Sequence, residues 1–181
     1  AALSEQVVAQ EHNGDAATEL TVVRQLVMGA QVDGIVLWPG LNSSATVDFL
    51  KQEDIPFVLM PEPDIDIHHR HSTVNADDAG ASTCLVQHLI EGGNRRIGFA
   101  SWGTAISSHS GVRQRYRHYT TALSQAGLDV PDPIHVEGSM GDDNMDLAPD
   151  TVHRLADLDA LFCATDVVAG AVVSRCAEAG I

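Results

Sequence analysis

Residues 74–102 read VNADDAGASTCLVQHLIEGGNRRIGFASW, and this stretch contains a complete strand–helix–strand passage. Asp77 and Asp78 are both able to cap the start of a helix. Apolar or small residues then recur at the i, i+3, i+4, i+7 and i+8 spacing of one buried helix face, namely Ala81, Cys84, Leu85, His88 and Leu89. Gly92 and Gly93 supply a left-handed helix stop. The run IGFA that follows predicts a buried strand.

Similar units occur on both sides of this stretch. Strands are expected at residues 7–10, 32–38, 55–60, 134–137 and 160–164, and the main helices at 18–30, 112–126 and 167–179. Apolar strands that do not alternate with polar residues, and that are separated by amphipathic helices, predict an α/β fold whose parallel sheets are covered on both faces. Residues 1–6 read as the end of a helix, and the series of units is unfinished. We therefore expect a fragment that lacks segments at both ends.

The composition limits the partners and the compartment of the chain. Its 181 residues carry a formal net charge of −15, which repels phosphate backbones, so we do not expect this segment itself to bind DNA or an anionic membrane. Cys84, Cys163 and Cys176 show no disulfide spacing, which favours a reducing, cytoplasmic compartment. No apolar run reaches the length of a membrane span.

Candidate ligand-binding residues lie where the predicted strands end. In open parallel sheets, ligands bind outside the carboxyl ends of the strands. These ends carry Trp38, Asp77, Trp102, Thr165 and Asp166, and Arg115 lies in the first turns of the following helix, where its guanidinium can reach the same edge. Carboxylates and indoles suit a polyhydroxylated ligand. Asp77 and Asp166 are equally well explained as helix caps, and Trp102 as a cover for a strand end.

Two further patterns resemble chemical sites but favour neither a metal nor catalysis. Acids and histidines alternate in one polar loop at Asp64, Asp66, His68, His69 and His71, without the i, i+4 pair of a helical zinc site. The SSHS run at residues 107–110 lacks a nucleophile elbow. No glycine-rich phosphate loop follows a strand. The sequence therefore predicts a binding protein without metal or cofactor, and not an enzyme.

Several motifs, taken in order, resemble the lactose-repressor/galactose-repressor (LacI/GalR) family of transcription regulators. They are VDGIVL at residues 32–37, IPFVL at 55–59, the acids at 77–78 with HLIEGGNRRI at 88–97, RQR at 113–115, and ALFCATD at 160–166. The resemblance implies the effector-binding core of such a regulator, with a two-lobed, periplasmic-binding-protein-like fold of type I. It places the first lobe at residues 1–94 and the second at 95–181, both incomplete. The DNA-binding headpiece is expected outside this chain.

The resemblance also assigns roles to single residues. Arg115 matches the effector-binding arginine of the family, and Asp77 matches an acid that often faces the ligand. Met140 matches a position that is commonly aromatic and stacks on the effector. Thr165 matches a position, often Asn, that contacts the ligand, which makes Asp166 its structural neighbour and helix cap.

Two positions depart from the family pattern. Trp38 stands at a strand end where a small polar residue is common, and His118 stands where a glycine is usual.

The function implied is a ligand-responsive repressor: a sugar-like effector binds between the lobes of a homodimer and changes its affinity for operator DNA. The alternative is an exported sugar-binding protein of a transport system, which would share the fold.

Overall fold

The computed structural model describes residues 7–12, 14–29, 32–40, 43–60, 72–138, 145–147 and 151–181. The chain divides into two compact units, Ala1–Ala76 (unit 1) and Asp77–Ile181 (unit 2). Each unit contains a sheet and its own hydrophobic core.

In unit 1, the part of the chain that the structure describes forms two helices and a small parallel sheet. Its elements are α1 (Ala16–Met28), β1 (Ile35–Leu37), α2 (Ser44–Gln52), β2 (Phe57–Leu59) and β3 (Ser72–Thr73), with sheet order β1-β2-β3. The core consists of Val23 from α1, Val47 and Leu50 from α2, and Leu37 and Leu59 from the two longer strands. The Arg24 guanidinium lies 5.3 Å from the centre of the Phe49 ring, so α1 and α2 also meet at their surface.

The described residues of unit 2 form a four-stranded sheet and five helices. Its elements are α3 (Asp78–Glu91), β4 (Ile97–Trp102), α4 (Ala105–Ser108), α5 (Ser110–Gln125), β5 (Ile134–Glu137), β6 (Asp146–Leu147), α6 (Thr151–Ala156), β7 (Ala160–Cys163) and α7 (Asp166–Ala179). The sheet order is β6-β5-β4-β7. β4 runs parallel to β5 and β7, whereas β6 runs antiparallel to β5.

Strand β4 is the centre of unit 2, and all six of its residues are buried. Both faces are therefore covered, which explains why its sequence is apolar without alternation. Phe99 packs against three aromatic rings, with centroids 5.1 Å from Tyr116, 5.3 Å from Tyr119 and 5.2 Å from Phe162. The Tyr119 hydroxyl donates a 2.7 Å hydrogen bond to the Ile97 carbonyl, which ties α5 to the start of β4. Burial raises the pKa of Tyr119 far above its usual value.

The start of β4 is fixed to the start of β7 by one carboxylate. Asp159 Oδ2 accepts hydrogen bonds from the backbone N–H groups of Arg95 (2.9 Å) and Arg96 (2.8 Å). Its Oδ1 accepts from Nη2 of Arg96 at 2.9 Å. The backbone donors, and then the guanidinium, lower the pKa of Asp159 from 3.8 to about 2. The two arginines therefore support the sheet.

The predicted α/β class and most helices are confirmed, but the buried face of α3 was predicted wrongly. Ala81, Cys84, Leu85 and His88 are exposed, and the residues buried on this helix are Ser82 and Val86. Val86 is fully buried in the core of unit 2. Two faces of α3 have helical spacing, and the face that is buried is the one with Ser82 and Val86.

The division between the compact units falls before α3, whereas the resemblance put the lobe boundary after it, at residues 94–95. The physical reason is that α3 packs in unit 2, where Val86 shares a core with Ile97 and Phe99.

Residues 7–10, expected as a strand, adopt no regular structure. The expected helical residues 1–6 and the polar loop with Asp64 and its histidines lie outside the described residues.

Candidate functional site

Arg115 lies near the carboxyl ends of β4 and β7, as its place early in α5 suggested. Its Nε donates a 2.9 Å hydrogen bond to Oδ1 of Asp78, and its Nη1 donates a 2.6 Å bond to the Ala164 carbonyl, just beyond β7. About a third of the Arg115 side chain is exposed (32%). Among the residues that the structure describes, no hydrogen-bond partner is found for Nη2. The guanidinium is thus fixed on one side and retains donors on the other.

The acid that holds Arg115 is Asp78, for which the sequence suggests only a capping role. Asp77 is the actual N-cap of α3, since its carboxylate accepts from the Gly80 N–H at 2.9 Å. Successive residues of a helix point about 100° apart, so Asp78 faces α5 when Asp77 caps. The available signal was the acid pair itself, because one residue is enough for the cap and the second carboxylate is left for another partner.

Thr165 and Asp166 follow the same Ala164 carbonyl at the end of β7. Thr165 is the N-cap of α7, and its Oγ1 accepts from the Val168 N–H at 3.3 Å. The prediction that Asp166 caps this helix was wrong: it is the first helical residue, and its carboxylate accepts from the adjacent Val167 N–H. Thr165 takes the capping position because its backbone is extended, as an N-cap requires.

Trp102 ends β4 but offers little surface. It is only 5% exposed and belongs to the core of unit 2. Its ring meets His109 edge-on, with centroids 5.1 Å apart. The structure therefore gives Trp102 a packing role at the strand end and places Arg115 in the exposed position.

Trp38 differs sharply from Trp102, because it is 60% exposed at the carboxyl end of β1 in unit 1. Met60, which follows β2, is 38% exposed, and its N–H donates to the Leu37 carbonyl. The two side chains thus follow paired positions of neighbouring parallel strands. Both exposed side chains therefore lie at the carboxyl-end edge of the unit 1 sheet. Met140, the other predicted stacking residue, lies outside the described residues.

Cys163 is the last residue of β7, next to the strand edge at which Arg115 lies. Burial, with a smaller contribution from neighbouring Cys176, raises the pKa of the Cys163 thiol to about 11, so this cysteine near the edge stays protonated at neutral pH. Within the described ranges no three His, Cys, Asp or Glu side chains are grouped to hold a metal ion. In the same part of the chain, no helix combines the length and apolarity needed to cross a membrane.

Known proteins resemble the chain in sequence over most of its length. The profile of the family described as periplasmic binding protein-like domain matches residues 86–181. Catabolite control protein A of Priestia megaterium is 31% identical over 159 residues, which cover 86% of this chain and 46% of that protein. The HTH-type transcriptional repressor PurR of Mannheimia succiniciproducens is 26% identical, with the same coverage. The chain thus spans about half the length of the curated relatives it matches.

Solved structures give the same result for the fold. A putative LacI transcriptional regulator from Bacillus cereus subsp. cytotoxis superposes with a TM-score of 0.72 at 23% identity, covering 96% of this chain and 60% of that one. The transcription regulator GntR from Chromobacterium violaceum has a TM-score of 0.67 at 27% identity, covering 92% and 59%. The expected periplasmic-binding-protein-like fold is confirmed. The chain belongs to the family described as periplasmic binding protein-like domain.

Proposed function

We propose that this chain is the effector-binding part of a ligand-responsive transcriptional repressor. The observation that carries the proposal is the Arg115 guanidinium, which Asp78 and the Ala164 carbonyl hold at the strand edge of unit 2. A guanidinium fixed through Nε and Nη1 presents its remaining N–H groups in a set direction, which suits neighbouring hydroxyl groups or a carboxylate. The effector is a sugar or sugar derivative, and Thr165, which follows the same Ala164 carbonyl, is its further contact in unit 2. Trp38 is proposed separately, as an effector contact on unit 1.

The acidic character of the chain fits a protein in which this segment binds the effector and another segment binds DNA. A net charge of −15 opposes contact with a phosphate backbone, so operator DNA is bound by a headpiece outside this segment. The protein works in the cytoplasm as a homodimer, and effector binding shifts it between two states of unequal operator affinity. Couplings of this kind are typically about 1–3 kcal/mol, and they require that the effector bind the two states unequally.

The second reading, an exported sugar-binding protein, is not favoured by the relatives. Those compared above are named as transcription regulators or as catabolite control protein A. The residues that precede Ala1 in the full-length protein decide between the two: a helix-turn-helix supports the repressor, and an apolar signal sequence supports the transport protein.

The proposal is tested in the intact protein with a variant at Arg115. A thermal-shift screen of sugars and sugar derivatives first identifies an effector, and a gel-shift titration then measures how that effector changes operator binding. Arg115→Ala is expected to lose at least about tenfold in effector sensitivity, since hydrogen bonds to charged groups contribute about 1.5–3 kcal/mol. Its operator binding without effector should stay close to that of the unaltered protein.

The matched control is Arg113→Ala, two residues away on the same helix. Nη1 of Arg113 donates to the Ser107 carbonyl, outside the Arg115–Asp78 contact. This variant should respond to the effector normally. If Arg115→Ala responds as the unaltered protein does, the assignment of the site is wrong.

A further inference from the structure

Glu19 is a carboxylate buried inside unit 1. It lies on α1, is 1% exposed, and its Oε2 accepts a 2.7 Å hydrogen bond from the Gly40 N–H. The Ser43 hydroxyl lies 2.8 Å from the same oxygen. Its other oxygen, Oε1, is buried and has no hydrogen-bond partner in the described part of the chain. Burying a carboxylate with one oxygen unsatisfied is costly, and an apolar side chain would fill the space more cheaply.

The contacts of Glu19 are directed at the segment that follows β1. His12 lies beside it, with Nε2 3.7 Å from Glu19 Oε2 and 2.9 Å from the Trp38 carbonyl. The backbone is therefore bound on both sides of Pro39, at the Trp38 carbonyl by His12 and at the Gly40 N–H by Glu19. A proline also restricts the backbone of the residue before it, here Trp38.

Close packing also constrains the segment Trp38–Pro39–Gly40. A Cβ atom on Gly40 would lie 2.7 Å from the Gly14 carbonyl oxygen, which is closer than real Cβ contacts. The backbone at Gly14 therefore packs closely against Gly40, and Glu19 on α1 accepts a hydrogen bond from the Gly40 N–H. We call the set His12, Glu19 and Gly40 the loop clamp.

The loop clamp fixes the backbone at Trp38, whereas the Trp38 side chain is exposed. The indole of Trp38 is 60% exposed although its carbonyl and the neighbouring N–H are bound. An aromatic side chain on a fixed backbone gives a large contact area and loses little conformational entropy on binding. This combination is what a stacking surface for a ligand needs.

We infer that Glu19 and His12 are positioning residues that hold Trp38 as a preorganised stacking surface for the effector. The inference rests on the proposed function, because it takes Trp38 to be an effector contact. It adds that affinity depends on two side chains that need not contact the effector. It also adds that the hydrogen bonds accepted by Glu19, and not merely its volume, keep the indole in place.

The test uses the intact protein labelled with 5-fluorotryptophan and observed by ¹⁹F NMR. The Trp38 resonance is assigned by its disappearance in Trp38→Phe. Glu19→Ala removes the acceptor, whereas Glu19→Gln keeps an amide oxygen that can accept from the Gly40 N–H and the Ser43 hydroxyl. His12→Ala removes the contact to the Trp38 carbonyl, and Glu53→Ala removes an exposed carboxylate of the same unit as the control.

The expected result is that Glu19→Ala and His12→Ala shift or broaden the Trp38 resonance without ligand and weaken effector binding by about two- to tenfold, the cost of ordering one side chain. Glu19→Gln should restore both the resonance and the affinity, and Glu53→Ala should change neither. If Glu19→Ala does not fold, His12→Ala and Glu19→Gln decide the question by the same two readouts.

The inference is overturned if Glu19→Ala or His12→Ala leaves the Trp38 resonance unchanged. It is equally overturned if Glu19→Gln fails to rescue it, because volume or charge would then be the cause. A failure of the proposed function is seen separately, as an unaltered protein that binds no sugar-like effector or as Trp38→Ala binding the effector normally, and the ligand-free ¹⁹F comparison is unaffected by either result.

Discussion

At the residue scale, Arg115 and Asp78 show what a sequence reveals about a site and what it leaves out. The place of Arg115 at the sheet edge follows from its position early in a helix after a buried strand, and the structure has it there. The contact to Asp78 is 37 residues distant in sequence, and the acceptor at Ala164 is a backbone carbonyl. Neither carries a local signal, since both depend on how α3, α5 and β7 pack together.

Asp159 gives a prediction about pH and stability. Its pKa is lowered to about 2 in the folded protein from 3.8, so its carboxylate stabilises the fold above about pH 4. This contribution is lost as the pH falls from about 4 to about 2, because protonation weakens the bonds from the Arg95 and Arg96 N–H groups. Asp159→Asn should therefore lower the urea midpoint at pH 7 and flatten its decline in that acidic window.

Asp157→Asn serves as the control for this measurement, since Asp157 is exposed two residues earlier. It should leave the urea midpoint at pH 7 almost unchanged. An unaltered midpoint in Asp159→Asn would mean that the contact of Asp159 with Arg95 and Arg96 does not contribute to stability.

At the scale of elements, periodicity located the long helices to within about two residues but did not give the orientation of α3. The stripe Ala81, Cys84 and Leu85 and the stripe Ser82 and Val86 both have helical spacing, so the pattern alone does not choose between them. Packing against α5 and β7 buries the second. β3 and β6 have two residues each, which is too short for any alternation to be recognised. The cap of α7 was misplaced by one residue because Thr and Asp both suit that position.

A pair of adjacent substitutions tests the orientation of α3. Val86 is fully buried, whereas Leu85 is 40% exposed. Val86→Ala should destabilise the protein by about 2 kcal/mol, through lost burial and a residual cavity. Leu85→Ala should change the free energy of unfolding by no more than about 0.5 kcal/mol. Urea unfolding of both variants measures the difference, and the reverse order would restore the orientation predicted from sequence.

At the scale of the whole molecule, the order of the main strands and helices could be predicted from the sequence, and the compact units divide just before α3. A helix after a strand is normally assigned to the unit of that strand, and the resemblance led to the same choice. In the structure α3 belongs to unit 2, because Val86 lies in the same core as Ile97 and Phe99. Sequence order does not specify which sheet a connecting helix covers.

Two fragments test this division. Residues 77–181 contain α3 and should fold cooperatively, giving dispersed amide resonances and a single urea transition. Residues 95–181 lack the helix that covers part of the core, and should be markedly less stable or unfolded. Equal stability of the two fragments would contradict the assignment of α3 to unit 2.

The most direct test of the central claim, that Arg115 binds the effector, is a calorimetric titration of the intact protein with the effector found in the thermal-shift screen. The account predicts measurable binding by the unaltered protein and by Arg113→Ala, and a loss in affinity of about tenfold or more in Arg115→Ala, equal to at least about 1.4 kcal/mol. Binding by Arg115→Ala with unchanged affinity and enthalpy would contradict the account.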